Sequence, residues 1–377
     1  MSHLLRPIAG AAIAAIAIAA PAVASPAHHH SRGRDAAVFV QTDNPSGNQI
    51  LAFARANDGT LTQTGTYASG GNGAVAGGAV ADPLASQGSL VTADGGRVLL
   101  ALNAGSNTIS VFRVHGNRLS LHQTLSTGGV FPASIAVHRQ LVYVLNAAGE
   151  GSVTGFTLRD GRLRALSGSL RALGLGNLTP PNYLASPGQV GFTPNGRQLV
   201  VTTKASTSSL DVFRVGPRGR LSATPTSTVS ATPVPFSFVF DPAGRLVVAE
   251  AGASTVSTYT LAASGAATAI GSAADGQLAL CWITAARGFY YVSNAGSANI
   301  SSYTVNAAGQ PVLVGVAGTA EGGTTDSVSA DHGRFLYVEN GGAGTVDEFA
   351  VARTGTLTKL GVVTGLPTAI EGIATIG

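Results

Sequence analysis

The chain is predicted to be all-β, a ring of seven four-stranded antiparallel sheets, and three observations carry that prediction. First, a hairpin pattern recurs at Leu99–Val114, Val142–Leu158, Leu246–Leu261, Tyr290–Val305 and Phe335–Val351: an apolar or aromatic run, a polar turn, then a second alternating run. Second, the turn-opening residues recur every 43–57 residues and only strand patterns lie between them, the mark of repeated units stacked around an axis. Third, the closing segment Leu366–Gly377, LPTAIEGIATIG, resembles the short strand segment FPASIAV that precedes one of the hairpins, yet no hairpin follows it. The architecture implied is a seven-bladed β-propeller whose C-terminal strand completes blade one and leaves no open edge.

Residues 1–24 read as a signal peptide. Arg6 precedes an apolar run from Ile8 to Ala20, and Ala22-Val23-Ala24 supplies a small-x-small cleavage site. Residues 25–36 form a polar leader, and its three histidines have no fixed geometry with which to hold a metal. The propeller occupies residues 37–377, and an exported protein, periplasmic or secreted, is expected. No later segment has the length of a membrane-spanning helix.

Hairpins are read at residues 38–55, 98–114, 141–158, 198–215, 245–261, 289–305 and 335–351. From the second onward an innermost strand comes first, and tight turns such as Pro194-Asn195-Gly196-Arg197 and Asp241-Pro242-Ala243-Gly244-Arg245 lead from it into the hairpin. A glycine turn after each hairpin leads to an outermost strand, which gives the order A-B-C-D. An aromatic follows the turn-opening residue by nine positions at Phe112, Tyr259, Tyr303 and Phe349, and by ten at Phe156. Two D-to-A connections are long, 68–86 and 173–186; both belong on the face that carries the B–C turns, where a functional mouth is expected.

Composition excludes several classes of function. Only 11% of the 377 residues are charged, the net charge is +4, and the arginines are scattered one or two per repeat, so nucleic-acid binding is not expected. The single cysteine, Cys281, has no partner for an internal disulfide and no nearby histidine to activate it, which makes it a buried thiol. The sequence contains no Gly-x-Ser-x-Gly, no His-Glu-x-x-His and no phosphate loop.

The repeat Tyr291-Val292-Ser293-Asn294-Ala295-Gly296-Ser297, with Ile300 and Tyr303, resembles the YVTN-type propeller repeat. Together with the PNGR-like and DPAGR-like turns, residues 37–377 resemble the lactonase-type seven-bladed β-propeller family, which includes 6-phosphogluconolactonase and carboxymuconate cyclase types. The resemblance implies a histidine, acids and arginines where inner strands begin at the channel mouth. Aligning the inner strands places Asp326 and Glu371 there, but none of His115, His122, His138 or His332.

The candidate catalytic pair is therefore Asp326 and Glu371, one of which would activate water for lactone opening. Candidate binding groups are Gln87, Gln189, Lys204, Glu250, Trp282, Asn294 and Asn340, with Lys204, Gln189 or Asn294 as oxyanion donors. Each has a bland reading beside it. Asparagine at a turn start bonds its own backbone, Lys204, at nearly the slot of Glu250, pairs between blades, and Trp282 plugs the channel. No cofactor is expected, although calcium or magnesium would suit oxygen ligands from Asp326, Glu371 and channel carbonyls. Two functions stay open: a lactonase-like propeller that binds, and hydrolyses or isomerises, a small polar or cyclic metabolite, or a non-catalytic propeller that holds a protein or glycan by the same face. A monomer is expected.

Overall fold

The computed structural model describes residues 1–3 and 36–377; residues 4–35, on which most of the expected signal peptide and leader fall, lie outside the described residues. Seven antiparallel sheets form the ring. Their innermost strands are Ile373–Ile376 in blade one and then Leu90–Ala93, Pro132–His138, Gln189–Phe192, Pro235–Phe240, Leu280–Ala286 and Thr324–Ala330. The closing strand pairs with Ala37–Gln41 in the register Val38↔Thr375 and Val40↔Ile373, and Gln41 N–H donates to Gly372 C=O at 2.9 Å. The last strand is thus stitched beside the first, as the unpaired segment at the C-terminus predicts. The outermost strand of blade three is split into Arg162–Ala165 and Arg171–Ala172, with Ser169 Oγ bonded to Gly155 in the gap.

The core is distributed between blades. Each B strand is covered on both faces, so its side chains are apolar in succession: Val98–Asn103 is buried at every position. Leu100, Leu102 and Val111 of blade two pack on Val142, Val144 and Phe156 of blade three. Val38, Val40 and Phe53 of blade one pack on Phe335, Tyr337 and Val346 of blade seven in the same way. Each such side chain contributes about 1.5–3 kcal/mol.

The recurrent aromatic has a definite place. Phe53, Phe112, Tyr259, Tyr303 and Phe349 are almost wholly buried, and each sits at a register shift where strands C and D slip by one residue. A bulge at that point raises local twist, which suits radially splayed blades. A second device joins neighbours. Tyr143, Tyr291 and Tyr337 of the B strands donate their hydroxyls to Gly219, Gly355 and Gly59 carbonyls in the C–D turns of the following blades, at 2.9, 3.1 and 2.7 Å.

The two long connections meet over one end of the axis. Gly77 N–H donates to Pro181 C=O at 2.9 Å, and Tyr183 N–H to Gly77 C=O at 3.0 Å. Ala76, Leu84 and Ala85 of the first loop pack on Ala104, Phe131 and Ala147. The expected mouth is a capped one.

Candidate functional site at the capped end of the axis

Directly after the turn-opening residue of each B–C turn comes a ring of small side chains: Ala104, Ala147, Ala251, Ala295 and Gly341. At Gly341 size is limiting, because a Cβ would stand 2.0 Å from Ala81 C=O in the cap. Two blades break the pattern. Blade one places Asp43 there and blade four Lys204, since Thr42 and Thr203 occupy the turn-opening slot. Lys204 therefore stands one position beyond the slot of Glu250.

Lys204 is 1% exposed, and its Nζ donates to Ala85 C=O and Tyr183 C=O, both at 2.5 Å, and to Ser186 Oγ at 2.9 Å. Phe236 lies beneath it, 5.0 Å from Nζ to ring centre. It ties both cap loops to blade four, and among the described residues it forms no salt bridge, in contrast to the expected inter-blade ion pair. Burial pulls its pKa down to about 7, against the opposing charge of Asp82. The Asp82 carboxylate accepts from Leu84, Ala85 and Ser86 N–H at 2.7–2.9 Å, and burial still pushes it up to about 6.

Two further residues bridge the axis. Gln87, at the foot of the cap, donates Nε2 to Ile283 C=O and accepts Ile283 N–H at Oε1, both at 3.0 Å, which links blade two to blade six. Trp282 Nε1 donates to Ser86 C=O at 2.8 Å, and its ring meets Phe236 edge-on at 4.9 Å, so Trp282 helps to close this end. Cys281 is buried beside them, and burial pushes its thiol up to about 12.

Against this closure lies a group of buried carboxyls. Asp326 accepts Ser327 N–H at 2.7 Å and, across the ring, Gly88 N–H at 3.3 Å; burial pushes it up to about 7. Glu371 has no exposure, and neither of its carboxyl oxygens has a hydrogen-bond partner. Glu339 accepts Gly372 N–H at 3.0 Å through Oε2, and its Oε1 is unpartnered. Asp43 accepts Gln41 Nε2 at 2.7 Å. Burial holds Glu371, Glu339 and Asp43 well above the usual carboxylate range, and their mutual repulsion with Asp82 and Asp326 adds to it. Carboxyls raised in this way hold a proton more tightly than free ones and can share it with a neighbour. Among the described residues no three His, Cys, Asp or Glu side chains form a preformed metal centre. An apolar cleft of about 500 Å³, lined by Val80, Ala81, Ala295 and the glycines of the blade six and seven turns, opens beside the cap at Ala81.

The structure thus gathers Gln87, Lys204, Trp282, Asp326 and Glu371 of the predicted residues around the capped end. Gln189 accepts Phe238 N–H at 2.6 Å and joins blade four to blade five. The other three are held within their own blades. The Glu250 carboxylate is enclosed by Ser230, Thr232, Thr255, Ser257 and Tyr259 hydroxyls. Asn294 donates to the Asn299 and Ser301 side chains, and Asn340 to the Thr345 hydroxyl, so these asparagines bond side chains across the hairpin and not their own backbone as expected. Sequence reasoning missed Asp43, Asp82 and Glu339. The signal for Asp43 was available: it is an acid where five of the other six blades carry alanine or glycine.

Residues 46–173, which run from the first B–C turn to the end of blade three, match the sequence profile of the family described as Lactonase, 7-bladed beta-propeller. A structure from Bacteroides fragilis, provisionally assigned as a 6-phosphogluconolactonase, superposes with a TM-score of 0.72 at 18% identity, covering 92% of this chain and 99% of that one. The periplasmic gluconolactonase of Pseudomonas aeruginosa gives 0.69 at 18% identity, covering 91% and 99%. A protein from Lactobacillus plantarum gives 0.71 at 19% identity, with the same coverage. At these identities the likeness is one of fold. No curated protein matches the chain in sequence.

Proposed function

We propose that the chain is an exported lactonase-like propeller that binds a small cyclic or polar metabolite at the capped end of its axis and hydrolyses it there. The observation that carries this reading is Asp326, poised at about 7, in one enclosed group with Glu371, whose two oxygens await a partner. A base near the working pH is what water activation needs. In its ionised form Asp326 accepts a proton as water attacks the lactone carbonyl. Protonated Glu371 returns one to the departing ring oxygen. Lys204 Nζ, once lifted from the cap carbonyls, is a donor for the developing oxyanion. Entry requires the cap to swing away from the cleft at Ala81. The resemblance in fold to lactonases supports the substrate class, and the Ala-rich segment ending at Ala24 supports export; N-terminal sequencing of the secreted product is expected to begin at Ser25.

The test is turnover of a lactone panel by the mature protein beside Asp326→Asn and Glu371→Gln. Loss of at least about a hundredfold in each variant is expected, with a pH–rate inflection near 7 in the parent. Activity that survives both substitutions removes the mechanism. A second reading, non-catalytic binding of a protein or glycan by this face, is favoured by the apolar side chains that the cap presents to solvent, with Val80 93% and Leu178 73% exposed. Absence of turnover on every lactone, together with glycan binding that is lost in a Val80→Ser, Leu178→Ser double variant, would select it.

A further inference from the structure

On the opposite face, where the A–B and C–D turns lie, blades four and five enclose a cleft of about 990 Å³. Arg197, Arg214, Arg218 and Arg220 line it together with Gln198 and Asn195, and no aspartate or glutamate does. The sequence scatters its arginines; packing of these two turns brings four of them together. None of the four is in a salt bridge among the described residues, although other turn arginines are.

The contrast is sharpest in the A–B turns. Arg97, Arg245 and Arg334 are neutralised by an aspartate of their own turn, Asp94, Asp241 and Asp331, at 2.6–2.7 Å. In blade four the corresponding turn is Thr193-Pro194-Asn195-Gly196-Arg197, with threonine where blade five has Asp241. That exchange leaves the Arg197 guanidinium free and its charge uncompensated. A fifth guanidinium, Arg171, sits behind the wall, where it donates to Leu221 and Ser222 carbonyls at 2.8 Å and adds positive potential without filling the cleft.

The walls are also set in place. Gln198, 8% exposed, donates Nε2 to Ala262 C=O at 2.7 Å and so fixes blade four against blade five. Gly216 N–H bonds Arg220 C=O at 2.7 Å, and Tyr143 anchors Gly219 from blade three. Between them Arg218 is held at φ 59°, a left-handed conformation that costs an ordinary residue free energy, directly after Pro217. The braced turn thus fixes the backbone from which the Arg218 side chain extends at the cleft.

We propose that this cleft binds a small multiply charged oxyanion, a phosphate ester or a polycarboxylate. Guanidinium presents a planar fork that matches phosphate and carboxylate oxygens in pairs. Four of them lining one concavity add their potentials there, and salt screens the sum over about 8 Å at physiological ionic strength. This binding site is independent of the carboxyl group under the cap.

Calorimetric titration of the mature chain with inorganic pyrophosphate, and separately with citrate, tests it. Saturable one-to-one binding is expected for at least one probe at low salt, weakening as salt rises; the stronger probe identifies phosphate or carboxylate as the chemistry recognised. Arg197→Gln and Arg218→Gln should each weaken it about tenfold, while Arg118→Gln, an exposed arginine outside the cleft, leaves it unchanged. All three side chains are exposed, and an unaltered melting temperature confirms that each variant folds. Failure of both probes to saturate, or equal weakening by Arg118→Gln, overturns the proposal.

Discussion

Replacing Asp326 by asparagine should alter how stability depends on pH, by an amount that follows from its burial. In the folded chain its carboxyl titrates at about 7, against about 3.9 when unfolded. The native state therefore holds a proton that the unfolded chain has lost, so this residue's contribution is complete below about pH 4 and is lost as pH rises through about 7. At 1.36 kcal/mol per unit the swing is on the order of 4 kcal/mol. Asp82, raised to about 6, acts in the same direction. Lys204, lowered to about 7, acts oppositely and only above that value, because its buried charge is costliest below 7 and is relieved between there and about 10.5. The acid window from about pH 4 to about pH 7 thus isolates the carboxyls. Asparagine keeps the size and one carbonyl acceptor but cannot ionise. Thermal melts of the two proteins should nearly coincide near pH 4.5 and diverge by about 7.5, with the variant the more stable by several degrees. A difference that stays flat over that range would refute the burial argument.

Two further outcomes follow from the cap and the closure. Lys204→Met leaves the Ala85 and Tyr183 carbonyls without their donor, at a cost of about 2–4 kcal/mol; hydrogen exchange at residues 76–86 and 181–186 should speed by more than tenfold while the blades keep their protection, and unchanged exchange would exclude the tie. Deleting residues 370–377 removes the strand that completes blade one and the buried Ile370 and Ile373, worth about 1.5–3 kcal/mol each. Size-exclusion chromatography should then show aggregates, and an undisturbed elution profile and melt would argue against closure as a source of stability.

The ring was legible because its information is local and repeated. A turn-opening Asn or Glu, an aromatic nine positions on and a glycine turn recur in most blades, and each maps to a hairpin, a bulge and a C–D corner. The tail could be placed because LPTAIEGIATIG reads as an inner strand without a hairpin. The site was legible only where it belongs to that repeat: Asp326 and Glu371 stand where inner strands begin, and Gln87 and Trp282 close to it. Asp82 lies in a connection of no periodicity, and what buries it is the path of residues 74–86 over the axis. The open mouth anticipated from sequence became a cap for the same reason. Arg197 and Arg218 lie more than twenty positions apart, in two different turns, so only their packing makes them neighbours.

The paired bonds of Gln87 to Ile283 cross the hub like a diametral tie rod, and they join residues 196 positions apart in the chain. A wheel braced in this way resists ovalisation: spreading blades two and six would rupture both bonds at once, in surroundings that offer no replacement for them. Any widening at this end is therefore left to the overlying flaps, while the rim resists a change of diameter.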